Sequence, residues 1–288
     1  MKKTPGEKAF NLINLFLLTV LGATCLLPFV HIIAKSTSEE TAVLAKEVVF
    51  LPKGFTINAY LFVMDNAQFR TSFTLTAMIT IVGTVVAMLV TCLTAFVMTR
   101  KDLPGGTLIS ILYIVTMFFG GGMIATYILY KQLGLIDNFW VLIFPASINP
   151  FNIILMRNFF ESISPSLEES AKIDGASHFR ILFKIYIPLS KAALATIGLF
   201  FAVTYWNSYI GAVLYTTKRS LMTMQLYLRN MLTSIDNLSG SSADMLDTLA
   251  LETVRAATII AAMIPILLGY PFVQKYFVKG VMIGAIKE

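Results

Sequence analysis

The side chains best suited to chemistry lie in one polar segment, residues 157–191, of a chain that is otherwise mostly apolar. Glu168 and Glu169 place two carboxylates side by side in this segment. Each has an ordinary structural explanation, because Glu168 is spaced to pair with Lys172 and Glu169 is spaced to complete a capping box with Ser166. An amphipathic surface helix needs no partner. The residue types alone therefore leave a plain surface helix and a charged docking surface both open.

The same segment predicts two short helices. Ser164 is a suitable N-cap, Pro165 takes the favoured first position, and the helix should end near Gly175, where glycine suits a left-handed cap. A second helix should follow and end at Pro188, which breaks the pattern. Its apolar residues are spaced i, i+3, i+4 and i+7, which predicts one apolar face made of Phe179, Leu182, Phe183 and Tyr186.

Residues that would drive chemistry elsewhere in the chain are missing from the sequence. The apolar stretches contain no Asp, Glu, Lys or Arg, and His31 near the end of the first one is typical of a partly wet interfacial side chain. Secondary carriers use carboxylates within the membrane, so a proton- or sodium-driven mechanism lacks its usual residues. The sequence also has no phosphate-binding loop, HEXXH zinc motif or Ser–His–Asp spacing. Uphill transport would therefore need energy from a partner.

The composition identifies the class of protein that must position these residues. The chain has 288 residues, 57% of them hydrophobic and 13% charged, with a mean hydropathy of +0.76. Soluble domains carry about 25% charged residues, so a soluble globule is excluded, and so is a disordered chain. The net charge of +6 fits an excess of basic residues on one membrane face better than nucleic-acid binding. The sequence is that of a membrane protein.

Six stretches reach the length of about 20 apolar residues that a transmembrane helix needs. The first is longer than the apolar part of a signal peptide and indicates a retained anchor. We predict spans at about 10–34, 71–99, 107–130, 139–157, 191–215 and 256–275, with long outer loops at 35–70 and 216–255 and an inner loop at 158–190.

The distribution of charge predicts the orientation. With a cytoplasmic N-terminus, the inner segments hold 13 Lys and Arg against seven Asp and Glu, whereas the outer segments hold nine of each. Basic residues concentrate on the cytoplasmic side of membrane proteins. Both termini are therefore expected in the cytoplasm.

The inner loop resembles the EAA loop of bacterial ABC importer membrane subunits, which reads Glu-Ala-Ala, three residues, Gly, nine residues, Ile, one residue, Leu-Pro. The spacings are the same here, with Ser170 in place of the first Ala and Ile187 in place of Leu. The resemblance implies that this loop couples the chain to an ATPase subunit. The residues that would do so are Glu169, Ser170, Ala171, Asp174, Gly175, Ala176, Phe179, Phe183 and Pro188.

Other stretches are similar to carbohydrate-importer permeases, in particular to the G-type permease of the maltose system. They are PKGFTINAY at 52–60 and QKYFVKGVMIGAIKE at 274–288. The outer segment 216–255 resembles the loop that reaches the binding protein in that system, although a solvated loop without a special role is equally compatible. The likeness favours relatives that carry larger or acidic oligosaccharides.

The family resemblance implies an all-α membrane protein with six transmembrane helices and the type I ABC importer permease fold, a single domain over 1–288. It implies a second homologous permease, two ATP-binding cassette subunits, an extracytoplasmic substrate-binding protein, an oligosaccharide substrate, membrane lipid and no nucleic acid. The chain itself would be no enzyme and hold no cofactor, because ATP and Mg²⁺ would bind the ATPase subunits. The expected location is the bacterial cell membrane. A stand-alone secondary carrier or channel is the alternative, and a membrane enzyme ranks third.

A sugar path would combine aromatic faces with amide and hydroxyl partners. The same residue types also form interfacial belts and join helices, so both interpretations stay open. The candidates for the substrate path are Asn149, Asn152, Tyr205, Trp206, Asn207 and Tyr209.

Overall fold

The structure, a computed structural model, describes residues 4–100, 102–238, 252–269 and 271. Every regular element in these ranges is helical, as predicted. The chain divides into two compact units, Met1–Arg70 with Leu228–Ile264, and Thr71–Tyr227 with Pro265–Glu288. The C-terminal stretch 274–288 that resembles carbohydrate-importer permeases lies outside the described residues.

The helices follow one another along the chain with short connections. They are α1 (Pro5–Ser36), α2 (Glu40–Leu44), α3 (Asn58–Asp65), α4 (Ala67–Met98), α5 (Gly106–Phe118), α6 (Met123–Gln132), α7 (Phe144–Ser147), α8 (Pro150–Glu161), α9 (Pro165–Ile173), α10 (His178–Ile181), α11 (Ile187–Leu189), α12 (Lys191–Trp206), α13 (Ile210–Tyr215), α14 (Met224–Leu238) and α15 (Glu252–Gly269). Single 3₁₀ turns occur at Phe139–Leu142 and Arg219–Leu221, and a π-helical turn, Leu182–Tyr186, joins α10 to α11.

Length and composition give three helices that could each cross a membrane, α1, α4 and α15. Three further pairs are apolar enough together but bent, by 116° between α5 and α6, by 49° between Phe139–Ser147 and α8, and by 87° between His178–Leu189 and α12. The described part of the chain therefore holds three spans, or up to six if each bent pair counts as one. The six predicted windows all coincide with one of these helices or pairs.

The third window, 107–130, is bent where the sequence places three consecutive glycines. Helix α5 ends at Phe118 and α6 begins at Met123. A Cβ added at Gly120 or Gly121 would meet no described atom within 4 Å, so these glycines do not serve close packing. Gly122 has a φ of +79°, a conformation that glycine adopts without steric cost. The glycines therefore permit the turn between the two helices.

The first unit begins with a capped helix. The Thr4 hydroxyl accepts a hydrogen bond from the Glu7 backbone at 3.3 Å, and the Glu7 carboxylate accepts one from the Thr4 backbone at 2.9 Å, which is a capping box. At the other end of α1, Nδ1 of His31 lies 2.6 Å from the carbonyl oxygen of Val49. This contact fits the interfacial role predicted for the histidine.

The second unit is held together by contacts of α4, α8 and α12 and carries both sets of candidate functional residues. Its core consists mainly of aliphatic and aromatic side chains with little or no exposed area. They include Ile79, Ala87, Ile143, Met156, Phe160, Ile181, Leu182, Ile197 and Phe201.

Asp137 connects two loops of the second unit. Its carboxylate accepts hydrogen bonds from the backbone and hydroxyl of Thr217, at 2.5 and 2.7 Å, and from the backbone of Lys218 at 3.2 Å. The hydrogen bonds from Thr217 are the main reason that the pKa of Asp137 lies below its ordinary value. The loop after α6 is thereby fixed to the segment after α13.

Candidate functional site

The predicted EAA-like loop folds as two short helices joined by a glycine turn. Helix α9 begins at Pro165 with Ser164 as its N-cap, as predicted. The Ser164 hydroxyl lies 2.8 Å from the hydroxyl of Ser166, which is already inside the helix. Ser166 is therefore not the capping residue, and the capping box with Glu169 is not formed. Glu169 is exposed and makes no hydrogen bond or ion pair with any described residue.

Gly175 ends the helix as the sequence predicts. Its φ is +75°, its N–H donates to the carbonyl of Lys172 at 3.0 Å, and the N–H of Ala176 donates to the carbonyl of Ala171 at 2.9 Å. These two bonds form a Schellman motif. Ala171 and Ala176 are half-buried against the core, whereas Ser170 and Asp174 are exposed. The turn thus presents one polar side outward.

The prediction of a single apolar face on the second helix is wrong. Leu182 and Tyr186 are buried, but Phe179 and Phe183 are 68% and 47% exposed. Ile181 is fully buried as well, so the core-facing side is rotated away from the two phenylalanines. The π-helical turn from Leu182 to Tyr186 also alters the spacing on which the prediction depended.

Glu168, the residue before the EAA-like triplet, points into the second unit. Its carboxylate accepts hydrogen bonds from the guanidinium of Arg100, from Nζ of Lys172 at 2.8 Å and from the hydroxyl of Tyr186 at 2.7 Å. Its side chain is 12% exposed and that of Arg100 is 15% exposed. We call Glu168, Arg100, Lys172 and Tyr186 the Glu168 network. It joins α9 to the residue that follows the end of α4 and to the π-helical turn.

Aromatic rings hold the network in place. The guanidinium carbon of Arg100 lies 4.0 Å from the centre of the Phe96 ring, within the range of a cation–π contact. The ring of Tyr186 packs edge-on against Phe96 and Phe160, with centroids 5.1 and 5.3 Å apart. The charged groups therefore have little freedom to separate.

The network keeps Glu168 ionised. Burial on its own would raise the pKa of this carboxyl, but hydrogen bonds from Lys172 and Tyr186 and the charge of Arg100 outweigh it and lower the pKa from 4.5 to about 2. A depressed carboxyl pKa stabilises the fold above the ordinary pKa of the group. This contribution is lost only as the pH falls from about 4.5 towards 2.

A polar cleft of about 870 Å³ lies beside α9 in the same unit. It is lined by the chain between α4 and α5, by the end of α8 and by one side of α9. Arg157 fixes one of its walls, because it pairs with Glu161 at 2.8 Å and donates to the hydroxyl of Ser110 at 2.9 Å. Both Glu168 and Glu169 reach the cleft.

Tyr205, a candidate for the substrate path, is a buried strut. It is 1% exposed, its hydroxyl donates to the carbonyl of Ile143 at 2.9 Å, and it lies 3.1 Å from the hydroxyl of Ser147. A Cβ at Gly83 would lie 2.7 Å from Cζ of the Tyr205 ring. The ring therefore fills the space that a side chain at Gly83 would need, and α4, α7 and α12 meet there.

The other path candidates are placed in two groups. Asn149 caps α8 by accepting from the backbone of Asn152 at 3.1 Å, and Asn152 is buried. At the end of α12, Trp206 is buried against Phe73, with ring centroids 5.7 Å apart. Its indole nitrogen has no hydrogen-bond partner among the described residues.

The residues just after Trp206 are more open. Asn207 is exposed and accepts from Gln225 at 3.3 Å, and Tyr209 is half-buried. Within the described residues, no group of three or more His, Cys, Asp or Glu is arranged to hold a metal ion.

Sequence reasoning missed Arg100, Tyr186 and the inward role of Glu168. Lys172 was predicted to pair with Glu168, and the structure confirms that ion pair. Arg100 is the first charged residue after the second apolar window, which was the available signal. Its partner lies 68 residues further along the chain, so no local pattern connects the two.

Comparison with known proteins decides the family. Residues 92–283, about two thirds of the chain, match the family described as binding-protein-dependent transport system inner membrane component. The chain belongs to this family. This permease is 39% identical to the polygalacturonan/rhamnogalacturonan transport system permease protein of Bacillus subtilis, over 98% of this chain and 99% of that protein. It is 38% identical to the protein LplC of the same organism, over 100% of this chain and 98% of that protein.

A solved structure agrees with the sequence comparison. This permease is similar to a chain in the crystal structure of a bacterial ABC transporter involved in the import of the acidic polysaccharide alginate. The identity is 34% and the TM-score 0.89, with 96% of this chain and 99% of that chain covered. The predicted fold class, an all-α permease of the type I importer fold, is confirmed. The chain is a multi-pass membrane permease subunit and not the ATPase of its transport system.

Proposed function

We propose that this permease forms half of the translocation path of an ATP-driven importer for acidic oligosaccharides. The observation that carries the proposal is the near full-length similarity to two permeases of known context, one for polygalacturonan/rhamnogalacturonan and one for alginate. Both names denote polysaccharides built from acidic sugars. A second homologous permease would complete the path, and an extracytoplasmic binding protein would deliver the substrate.

The coupling loop would dock on one of two ATPase subunits, which bind ATP and Mg²⁺. Support comes from the exposed side of α9 and its turn, where Glu169, Ser170 and Asp174 make no contact with the core. The exposed rings of Phe179 and Phe183 add apolar area next to this polar side. A polar rim around apolar anchors is the usual anatomy of a protein interface.

The charge distribution supports a cytoplasmic location for the coupling loop and both termini. For the substrate path, Asn207, Tyr209 and Asn149 remain the best candidates, because their side chains are at least partly exposed. Tyr205 is better explained as a structural residue, since its hydroxyl is already engaged inside the unit.

Uptake of labelled trigalacturonate by whole cells tests the proposed substrate class. Cells that lack this chain should lose the uptake, and expression of the chain should restore it. Unlabelled trigalacturonate should compete at least about tenfold better than its fully methyl-esterified form, because sites built for polar groups reject analogues that lack them. Equal competition by the esterified or a neutral trisaccharide would contradict an acidic substrate.

A further inference from the structure

The two neighbouring glutamates of α9 face opposite sides. Glu169 is exposed and without a described partner, whereas Glu168 is 12% exposed and accepts three hydrogen bonds within the second unit. A residue that only docked on a partner would not need this internal network. A residue that only stabilised α9 would not need to reach the residue that follows the end of α4.

The internal contacts continue from the network toward the substrate-path candidates. Arg100 directly follows the end of α4, and Gly83 in the same helix lies against the ring of Tyr205. The hydroxyl of Tyr205 in turn lies 3.1 Å from that of Ser147, two residues before Asn149. Packed side chains and rigid helices of this kind carry energetic coupling between distant sites.

We propose that Glu168 is a positioning residue that transmits movement of the docking helix α9 to α4 through Arg100. The inference rests on the proposed docking of the coupling loop and adds the route by which docking reaches the path. When the ATPase moves α9, the ion pair makes α4 move with it. Tyr186 keeps the π-helical turn in register with both helices, because its hydroxyl holds the second carboxylate oxygen.

The environment of the pair suits this role. Both partners are largely buried, so removal of one charge leaves the other without its counter-ion in a site that water reaches poorly. The guanidinium is additionally held over Phe96 at 4.0 Å. The contact is therefore stiffer than an exposed ion pair, whose long side chains separate easily.

The assembled transport complex, reconstituted in lipid with its ATPase and binding protein, provides the test. ATP hydrolysis is measured with and without saturating binding protein, together with the amount of ATPase that co-purifies. Glu168→Gln should keep the ATPase bound but lower the stimulation by the binding protein about tenfold, within the range of mutations along coupling routes. Arg100→Gln should do the same, and the double variant should be no worse than either single variant because the pair acts as a unit.

Glu161→Gln is the matched control. It removes the same charge from the neighbouring helix α8, where Glu161 pairs only with Arg157 among the described residues. Its stimulation should equal that of the unmodified complex. Full stimulation of the Glu168→Gln complex, or additive losses in the double variant, would overturn the proposal. Loss of bound ATPase from Glu168→Gln would also overturn it, since Glu168 would then be a docking residue. Failure of the proposed docking would look different, because the unmodified chain itself would not retain the ATPase.

Discussion

Gly83→Ala should strongly reduce the amount of folded permease. The new Cβ would lie 2.7 Å from the ring of Tyr205, closer than packed carbon atoms tolerate. The ring cannot move away easily, because its hydroxyl is bound to Ile143 and lies against Ser147. Overpacking of this kind costs about 1–3 kcal/mol. Thermal unfolding of the detergent-solubilised protein, followed by the fraction that stays monodisperse, measures the loss.

Gly198→Ala is the control for this experiment. Gly198 lies in α12, as Tyr205 does, but the nearest atom to its added Cβ is Sδ of Met88 at 4.0 Å. Alanine is the better helix former by about 0.5–1 kcal/mol, so this variant should be as stable as the unmodified protein or slightly more so. If Gly83→Ala proved equally stable, the close contact between α4 and Tyr205 would not hold α12 in place.

Glu169→Lys should abolish most transport while leaving the protein in the membrane. The side chain is exposed and bound to no described residue, so the fold should change by no more than about 0.5 kcal/mol. At a docking surface, reversal of a charge can cost several kcal/mol. We therefore expect at least about a tenfold loss of transport and of co-purifying ATPase, which corresponds to 1.4 kcal/mol.

Glu40→Lys makes the same charge reversal in a different setting. Glu40 is an exposed residue in α2, part of the predicted outer loop 35–70. Co-purification of the ATPase should not change in this variant. Normal ATPase binding by Glu169→Lys would instead show that the exposed carboxylate has no part in docking.

Local patterns predicted the docking segment well because its structure depends on near neighbours. Ser164, Pro165 and Gly175 act within a few residues of their own positions, and the structure places the start and the end of α9 where these residues predict them. The family spacing around Glu169 was likewise readable from a single stretch. Six apolar windows were sufficient for the fold class, since membrane helices must satisfy their own backbone.

Long-range contacts could not be predicted in the same way. The partner of Glu168 is 68 residues away, and Tyr205 reaches back to Ile143 across 62 residues. Tyr205 was predicted to face a sugar because its residue type suits both roles, and only packing distinguishes them. The rotation of the second helix depends on the π-helical turn at Leu182, for which helical periodicity provides no signal.

The central claim is that this permease moves an acidic oligosaccharide only as part of a complex that consumes ATP. Liposomes that contain this chain, its partner permease and two ATPase subunits should accumulate labelled trigalacturonate when ATP is inside and the binding protein is outside. Omission of either ATP or the binding protein should abolish accumulation. Liposomes that contain only this chain should accumulate none, whatever proton gradient is imposed. Accumulation by the chain alone, driven by a proton gradient, would contradict the account.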